Sequence, residues 1–115
     1  MRRDDARLLD ILLAARKILA FAEGISFDRF AGDEAIQSAV SYQLVIIGEA
    51  ARFLGDETKS GLPDIPWQQV VGLRNLLAHE YFRVDVRRVW NIVRADVPSL
   101  IRQIEPLVPP DRSDA

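Results

Sequence analysis

The sequence predicts an all-α fold, a four- to five-helix up-down bundle. Three observations support this: apolar residues recur at helical spacing in long segments, no segment alternates apolar and polar residues as a strand would, and the connections are short. The chain has 115 residues, enough for one domain with its own core. We predict a helical domain over residues 1–108 and a flexible tail over residues 109–115.

The first half of the chain predicts two long helices with a short one between them. Asp4 to Ala22 places apolar side chains on one face, and Gly24 is a stop signal after it. Ser26 to Phe30 predicts a single helical turn. The second long helix, Asp33 to Leu54, is apolar on more than one face. Such a helix is covered from two sides, and the pattern leaves open whether its own chain or a partner subunit provides the second cover.

The second half predicts a polar loop followed by two further long helices. Residues 56–64 are polar and contain glycine and proline, so we expect a loop. Pro66 suits the first turn of a helix that runs to His79. Asp85 can cap the last helix, which runs to Leu107. Pro98 lies inside that helix and predicts a kink or a break near Asp96.

Composition excludes several kinds of site. The chain has no cysteine and one histidine, so a disulfide, a thiolate metal site and a multi-histidine cluster within one chain are all excluded. We therefore predict no metal and no cofactor. The apolar stretch from Leu8 to Phe21 is interrupted by charged residues, unlike a signal peptide or a membrane span, so we expect a cytoplasmic protein without membrane contact. The formal net charge of -2 means that any contact with RNA must be local.

The segment from Arg74 to Tyr81 combines residue types suited to phosphoryl chemistry. An imidazole can accept or release a proton near neutral pH, and a guanidinium can balance the extra charge of a pentavalent phosphorus. RNA carries its own nucleophile, the 2′-hydroxyl, so such a site needs no metal ion. The plainer alternatives are a His79 that only stabilises a helix C-terminus and a Tyr81 at the edge of the core. For Arg74 the alternative is a structural ion pair with Glu49 or Glu80.

The spacing within this segment limits how one chain can use it. Arg74 and His79 are five residues apart, about 140° around a helix axis, so they do not share a face. Asn75 and His79 are four apart and do share one. Either the helix ends near His79, or two chains assemble the site across a two-fold axis. In the second case two copies of each residue would supply both an acid and a base.

The chain resembles the HepT-like branch of the HEPN proteins in one short motif: Arg74 is followed after four residues by His79, and His79 is followed after one residue by Tyr81. Other segments resemble that family in the same order along the chain, and the likeness covers about Leu8 to Leu107. These segments are Ile46 to Ala51 in its second-helix motif, Ile65 to Trp67 and Gly72 to Asn75 before its active site, and Val89-Trp90 and Asp96 to Pro98 in its last helix.

The resemblance implies properties that composition and spacing do not establish. It implies a homodimeric bundle in which Arg74 and His79 are the catalytic residues of a metal-independent endoribonuclease, at a composite cleft. It further implies the toxin of a type VII-like toxin–antitoxin pair, whose partner is a minimal nucleotidyltransferase antitoxin. Tyr81 is then the position that the antitoxin modifies with AMP. The added phosphodiester would repel and occlude an RNA phosphate beside His79.

Further residues are candidates for supporting roles. Asn75 would position a phosphate or His79, and Glu49 would orient Arg74 through a charge-assisted pair. Three arginines after the motif are candidates for binding RNA phosphates, with a solvated helix face as the alternative: Arg83, Arg87 and Arg88.

Two other functions stay open at the level of sequence. The first is a non-catalytic module that binds nucleotide, or delivers substrate to a separately encoded nucleotidyltransferase, through the same cleft. The second is a bundle that serves only for dimerisation. Cleavage of RNA would separate the leading hypothesis from both.

Overall fold

Helices form the regular elements of the part of the chain that the computed structural model describes, residues 2–80 and 83–109. In chain order they are α1 (Arg2–Ala22), α2 (Phe27–Ala31), α3 (Glu34–Arg52), α4 (Asp56–Ser60), α5 (Trp67–His79), α6 (Val86–Asn91) and α7 (Val97–Ile104). A π-helical turn, Ile92–Asp96, joins α6 to α7, and a 3-10 turn, Glu105–Leu107, follows α7. The predicted all-α fold is confirmed.

Helix α3 lies at the centre of the bundle. It packs against α1 on one side and α5 on the other, and α7 packs against α1. Side chains at helical spacing on α3, among them Val40, Leu44 and Ile47, are buried in the shared core. The chain itself therefore covers two sides of α3, although Tyr42 on a third side stays 65% exposed.

Local signals in the sequence set the helix ends. Asp33 accepts a hydrogen bond from the Ile36 N–H at 3.1 Å, and Asp85 accepts one from the Arg87 N–H at 2.9 Å, so both carboxylates cap their helices. Gly24 follows α1 with a φ of 74°, in the left-handed region that a glycine adopts without a Cβ penalty. These signals explain why the long helices begin and end close to their predicted bounds.

One local prediction is wrong, and the structure makes a second one more specific. Residues 56–60, expected to be loop, form α4. Its acidic first turn suits a helix N-terminus, and Asp4 on α1 accepts hydrogen bonds from the Gly55 N–H and the Thr58 hydroxyl. The kink or break expected near Asp96 takes the form of an irregular helical turn, because Ile92–Asp96 is π-helical and separates α6 from α7. This wider turn leads directly into α7, where Pro98 lies in the first turn and its missing N–H leaves no helical hydrogen bond unmade.

Some predictions concern positions outside the described residues. These are Tyr81, and the predicted tail except for Pro109. Among the residues that are described, no helix is both long and apolar enough to cross a membrane.

Candidate active site

The candidate site depends on an unusually close approach of α3 and α5 at Gly48. A Cβ placed on Gly48 would lie 2.2 Å from Cβ of Arg74 and 3.1 Å from the Val70 carbonyl oxygen. Only a residue without a side chain fits that space. The glycine therefore lets α5 pack onto α3 with Arg74 directly over the next residue of α3, Glu49.

Two side chains hold the Arg74 guanidinium. Its Nη2 lies 2.8 Å from Oε2 of Glu49, and its Nη1 donates a hydrogen bond of 2.9 Å to Oδ1 of Asn75. The expected ion pair with Glu49 is thus present. Asn75 contacts Arg74, so its amide oxygen is already used by the guanidinium. An arginine restrained on both terminal nitrogens is preorganised to receive an anion.

The same pair contains a donor without a partner. Nε of Arg74 is shielded from solvent and makes no hydrogen bond with the described residues. Oε2 of Glu49 also lacks a well-formed hydrogen bond, but the guanidinium 2.8 Å away compensates its charge. A shielded donor left unpaired is costly, so a ligand oxygen reaching Nε would be stabilised there.

His79 is the last residue of α5, and its side chain is exposed. No described residue makes a hydrogen bond or an ion pair with its imidazole. The Glu80 N–H donates to the Leu76 carbonyl at 2.7 Å and closes the helix, while the Glu80 carboxylate pairs with Arg83 at 3.0 Å. Glu80 is therefore the partner of Arg83, and the exposed His79 has no hydrogen-bond or ion-pair partner among the described residues.

The three arginines predicted to bind RNA have different surroundings. Arg83 shares its charge with Glu80. The guanidinium of Arg87 lies 3.5 Å from the ring centroid of Phe27, a close cation–π contact. Arg87 and Arg88 also line a groove of about 440 Å³ between α3, α5 and the α6–α7 segment, whereas Arg74 and His79 do not. Among the described residues, no hydrogen bond or ion pair joins any of the three arginines to Arg74 or Glu49.

Metal coordination gains no support from the described residues. No group of three or more His, Asp or Glu side chains in residues 2–80 and 83–109 is arranged to hold a metal ion. The chemistry that the site can offer with its own side chains is proton exchange at His79 and anion binding at Arg74.

Sequence reasoning missed the role of Gly48. Gly48 belongs to the segment from Ile46 to Ala51, but the sequence pattern does not indicate that two helices approach each other closely there. A signal was available, because glycine inside a helix costs about 1 kcal/mol relative to alanine and usually has a packing reason when it occurs there.

Comparison with known proteins gives one consistent result. The family described as "Ribonuclease HepT-like" matches residues 11–107. "Putative RNase MJ1380" of Methanocaldococcus jannaschii is 39% identical to this chain over 100 residues, which are 87% of this chain and 92% of that protein. "Probable ribonuclease HepT" of Thermococcus cleftensis is 41% identical over 100 residues, again 87% of this chain and 91% of that protein. No solved structure matches significantly.

Proposed function

The chain belongs to the HepT-like ribonuclease family, and on that premise we propose that it is a metal-independent endoribonuclease acting through Arg74 and His79. One observation carries the proposal: α5 presents a guanidinium fixed by two side chains and, at its end, an exposed imidazole without a partner among the described residues. A fixed guanidinium can bind a phosphate, and an accessible imidazole can exchange a proton with substrate.

The proposed reaction uses the nucleophile that RNA provides. The 2′-oxygen forms a bond to the adjacent phosphorus, and the bond from phosphorus to the 5′-oxygen breaks. One imidazole accepts the 2′-hydroxyl proton, and a second imidazole donates a proton to the departing 5′-oxygen. Arg74 stabilises the non-bridging oxygens as their charge increases. The products are a 2′,3′-cyclic phosphate, or its hydrolysis product, and a 5′-hydroxyl.

A second copy of the chain completes this site in our proposal. The reaction needs an acid and a base together, whereas one copy offers a single imidazole. An outward face of α3 supports the pairing: Tyr42 is largely exposed, Ile46 is half-buried, and Glu49 continues the same face at helical spacing. An accessible apolar face that leads to the Arg74–Glu49 pair suits contact between two copies.

Cleavage of RNA in the presence of EDTA tests the enzymatic proposal. We expect the parent protein to produce 2′,3′-cyclic phosphate ends, and His79→Ala or Arg74→Ala to abolish cleavage while the protein stays folded. Arg102→Ala, a change on the exposed side of α7, is the control for loss of positive charge. Full activity of His79→Ala with EDTA would remove the proposal. Nucleotide binding by an unmodified parent that cuts no RNA would favour the non-catalytic alternative.

We extend the proposal to regulation, with the chain as a cytoplasmic toxin that a nucleotidyltransferase antitoxin silences. Support comes from family membership and from the position of Tyr81 two residues after His79. The Tyr81 oxygen would form a bond to the α-phosphorus of ATP, and pyrophosphate would leave. The intact mass after co-expression with a neighbouring nucleotidyltransferase should rise by one or more AMP units and cleavage should stop, whereas Tyr81→Phe should stay unmodified. Unchanged mass with an active transferase would contradict this regulation.

A further inference from the structure

An exposed aromatic ring lies beside two arginines where α1 and the end of α3 meet. Phe53 is the residue after α3, and it is 52% exposed. The guanidinium carbon of Arg7, on α1, lies 5.0 Å from the ring centroid, and that of Arg52 lies 5.2 Å away. We call these three residues the Phe53 cluster.

The exposure of Phe53 is built into the local structure. The next residue, Leu54, is buried in the core, so the backbone directs Phe53 outward. Asp4 on α1 accepts a hydrogen bond from the Gly55 N–H at 3.3 Å and another from the Thr58 hydroxyl. These bonds hold the turn after α3 against the first turns of α1 and so keep Arg7 beside the ring.

The Phe53 cluster is connected to the candidate active site through one carboxylate. Nη1 of Arg52 lies 3.8 Å from Oε1 of Glu49, while Oε2 of the same carboxylate pairs with Arg74 at 2.8 Å. The cluster therefore borders the site on the side of α3. An RNA strand with its scissile phosphate at Arg74 would have neighbouring nucleotides within reach of Phe53.

A second aromatic–arginine contact in the chain shows how a structural one differs. Arg87 lies 3.5 Å from the Phe27 centroid, and Phe27 is half-buried with Trp90 beside it at 6.2 Å between centroids. The arginines at Phe53 are about 1.5 Å farther from their ring, and Arg7 has no carboxylate partner among the described residues. The charge of Arg7 and the exposed ring are thus available to a ligand, and Arg52 is held only by its 3.8 Å contact with Glu49.

We propose that the Phe53 cluster is a binding subsite for single-stranded RNA, an inference that rests on the proposed ribonuclease function. A nucleobase contacts the ring of Phe53, because aromatic side chains bind unpaired bases by stacking. Arg7 and Arg52 bind the flanking phosphates. Contact between two copies fits less well, because a two-fold axis at Phe53 would bring four guanidinium groups together, and the Glu49 carboxylates beside Arg52 already pair with Arg74.

Binding of an RNA that cannot be cut tests the subsite independently of cleavage. The probe is a fluorescent oligoribonucleotide with 2′-O-methyl groups, which lacks the attacking hydroxyl. We expect Phe53→Leu to weaken its affinity by about 5- to 150-fold, the range for losing one stacked base. Arg7→Gln should weaken affinity and lower the slope of log affinity against log salt by about 0.7, the value for one phosphate contact on a single strand.

Matched controls separate the possible outcomes. Phe21→Leu removes another partly exposed ring, at the opposite end of α1, and Arg102→Gln removes an exposed arginine on α7; both should bind the probe like the parent. Parent-like affinity in Phe53→Leu and Arg7→Gln would overturn the subsite and leave the ribonuclease proposal standing. A shift in dimer dissociation with unchanged RNA affinity would overturn it in favour of contact between copies. A parent that neither binds the probe nor cuts RNA would refute both proposals.

Discussion

Alanine at Gly48 tests whether the close approach of α3 and α5 positions Arg74. The new Cβ would lie 2.2 Å from Cβ and 2.9 Å from Cγ of Arg74, against the 3.4 Å at which ordinary contact begins. Rotation of the Arg74 side chain cannot relieve the clash, because its Cβ is fixed by the backbone of α5, and the Val70 carbonyl oxygen is also only 3.1 Å away. The two helices must separate by about 1 Å at this point.

The expected consequences for stability and for activity differ in size. Overpacking costs about 1–3 kcal/mol, and the better helix propensity of alanine returns about 1 kcal/mol, so Gly48→Ala should remain folded with a modestly lower melting temperature. A displacement of about 1 Å at a catalytic group costs on the order of 100-fold in rate. We therefore expect kcat for RNA cleavage to fall by roughly 100-fold.

The glycine at position 72 provides the control on the neighbouring helix. A Cβ at Gly72 of α5 would meet nothing within 4 Å, so Gly72→Ala should gain about 1 kcal/mol of helix stability, or roughly 4 °C in melting temperature. Its cleavage rate should match that of the parent. The assay is single-turnover cleavage of a labelled RNA beside thermal unfolding of each variant. Undiminished kcat in Gly48→Ala, or equal losses in both variants, would refute this reasoning.

Three further predictions concern the partner of Arg74, the exposed face of α3 and the hydrogen-bonded carboxylate of Asp4. Glu49→Gln keeps the shape of the Arg74 partner but replaces a charge-assisted contact by a neutral one, so RNA cleavage should slow by about 5-fold. A cleavage rate equal to that of the parent would contradict an orienting role for Glu49. Tyr42→Asp should give a monomer in sedimentation equilibrium and remove cleavage with it, whereas Leu13→Asp, on the outward face of α1 and 44% exposed, should do neither. The Thr58 hydroxyl donates a hydrogen bond to Asp4 and holds the pKa of that carboxyl below its ordinary value of 3.8. The Gly55 N–H adds to this effect, and partial burial acts against it. A lowered folded-state pKa means that the ionised carboxylate stabilises the fold above about pH 4 and that this stabilisation is lost as pH falls through the folded-state pKa. The melting-temperature difference between the parent and Asp4→Asn should therefore be largest near neutral pH and shrink below pH 4, and a gap that grows on acidification would refute the sign.

Much of the fold follows from local information that the sequence carries directly. Helical spacing of apolar residues identified α1, α3, α5 and the last helical segment, because burial of one face stabilises each of them in the same way. Caps such as Asp33 and Asp85 act within a few residues of their own position, so their effect can be read without tertiary contacts. The short helix α4 escaped prediction since its support comes from Asp4, far away in the chain.

The sequence by itself determined an all-helical chain, its main helix ends and the residue types available for chemistry at Arg74, Asn75 and His79. Only the tertiary structure decided which groups meet: that Gly48 lets α5 lie close to α3, that Glu49 rather than Glu80 pairs with Arg74, and that Phe53 stands exposed beside arginines of two helices. The physical reason is distance along the chain. Helix formation depends on neighbours within about four residues, whereas these contacts depend on how whole helices pack against one another.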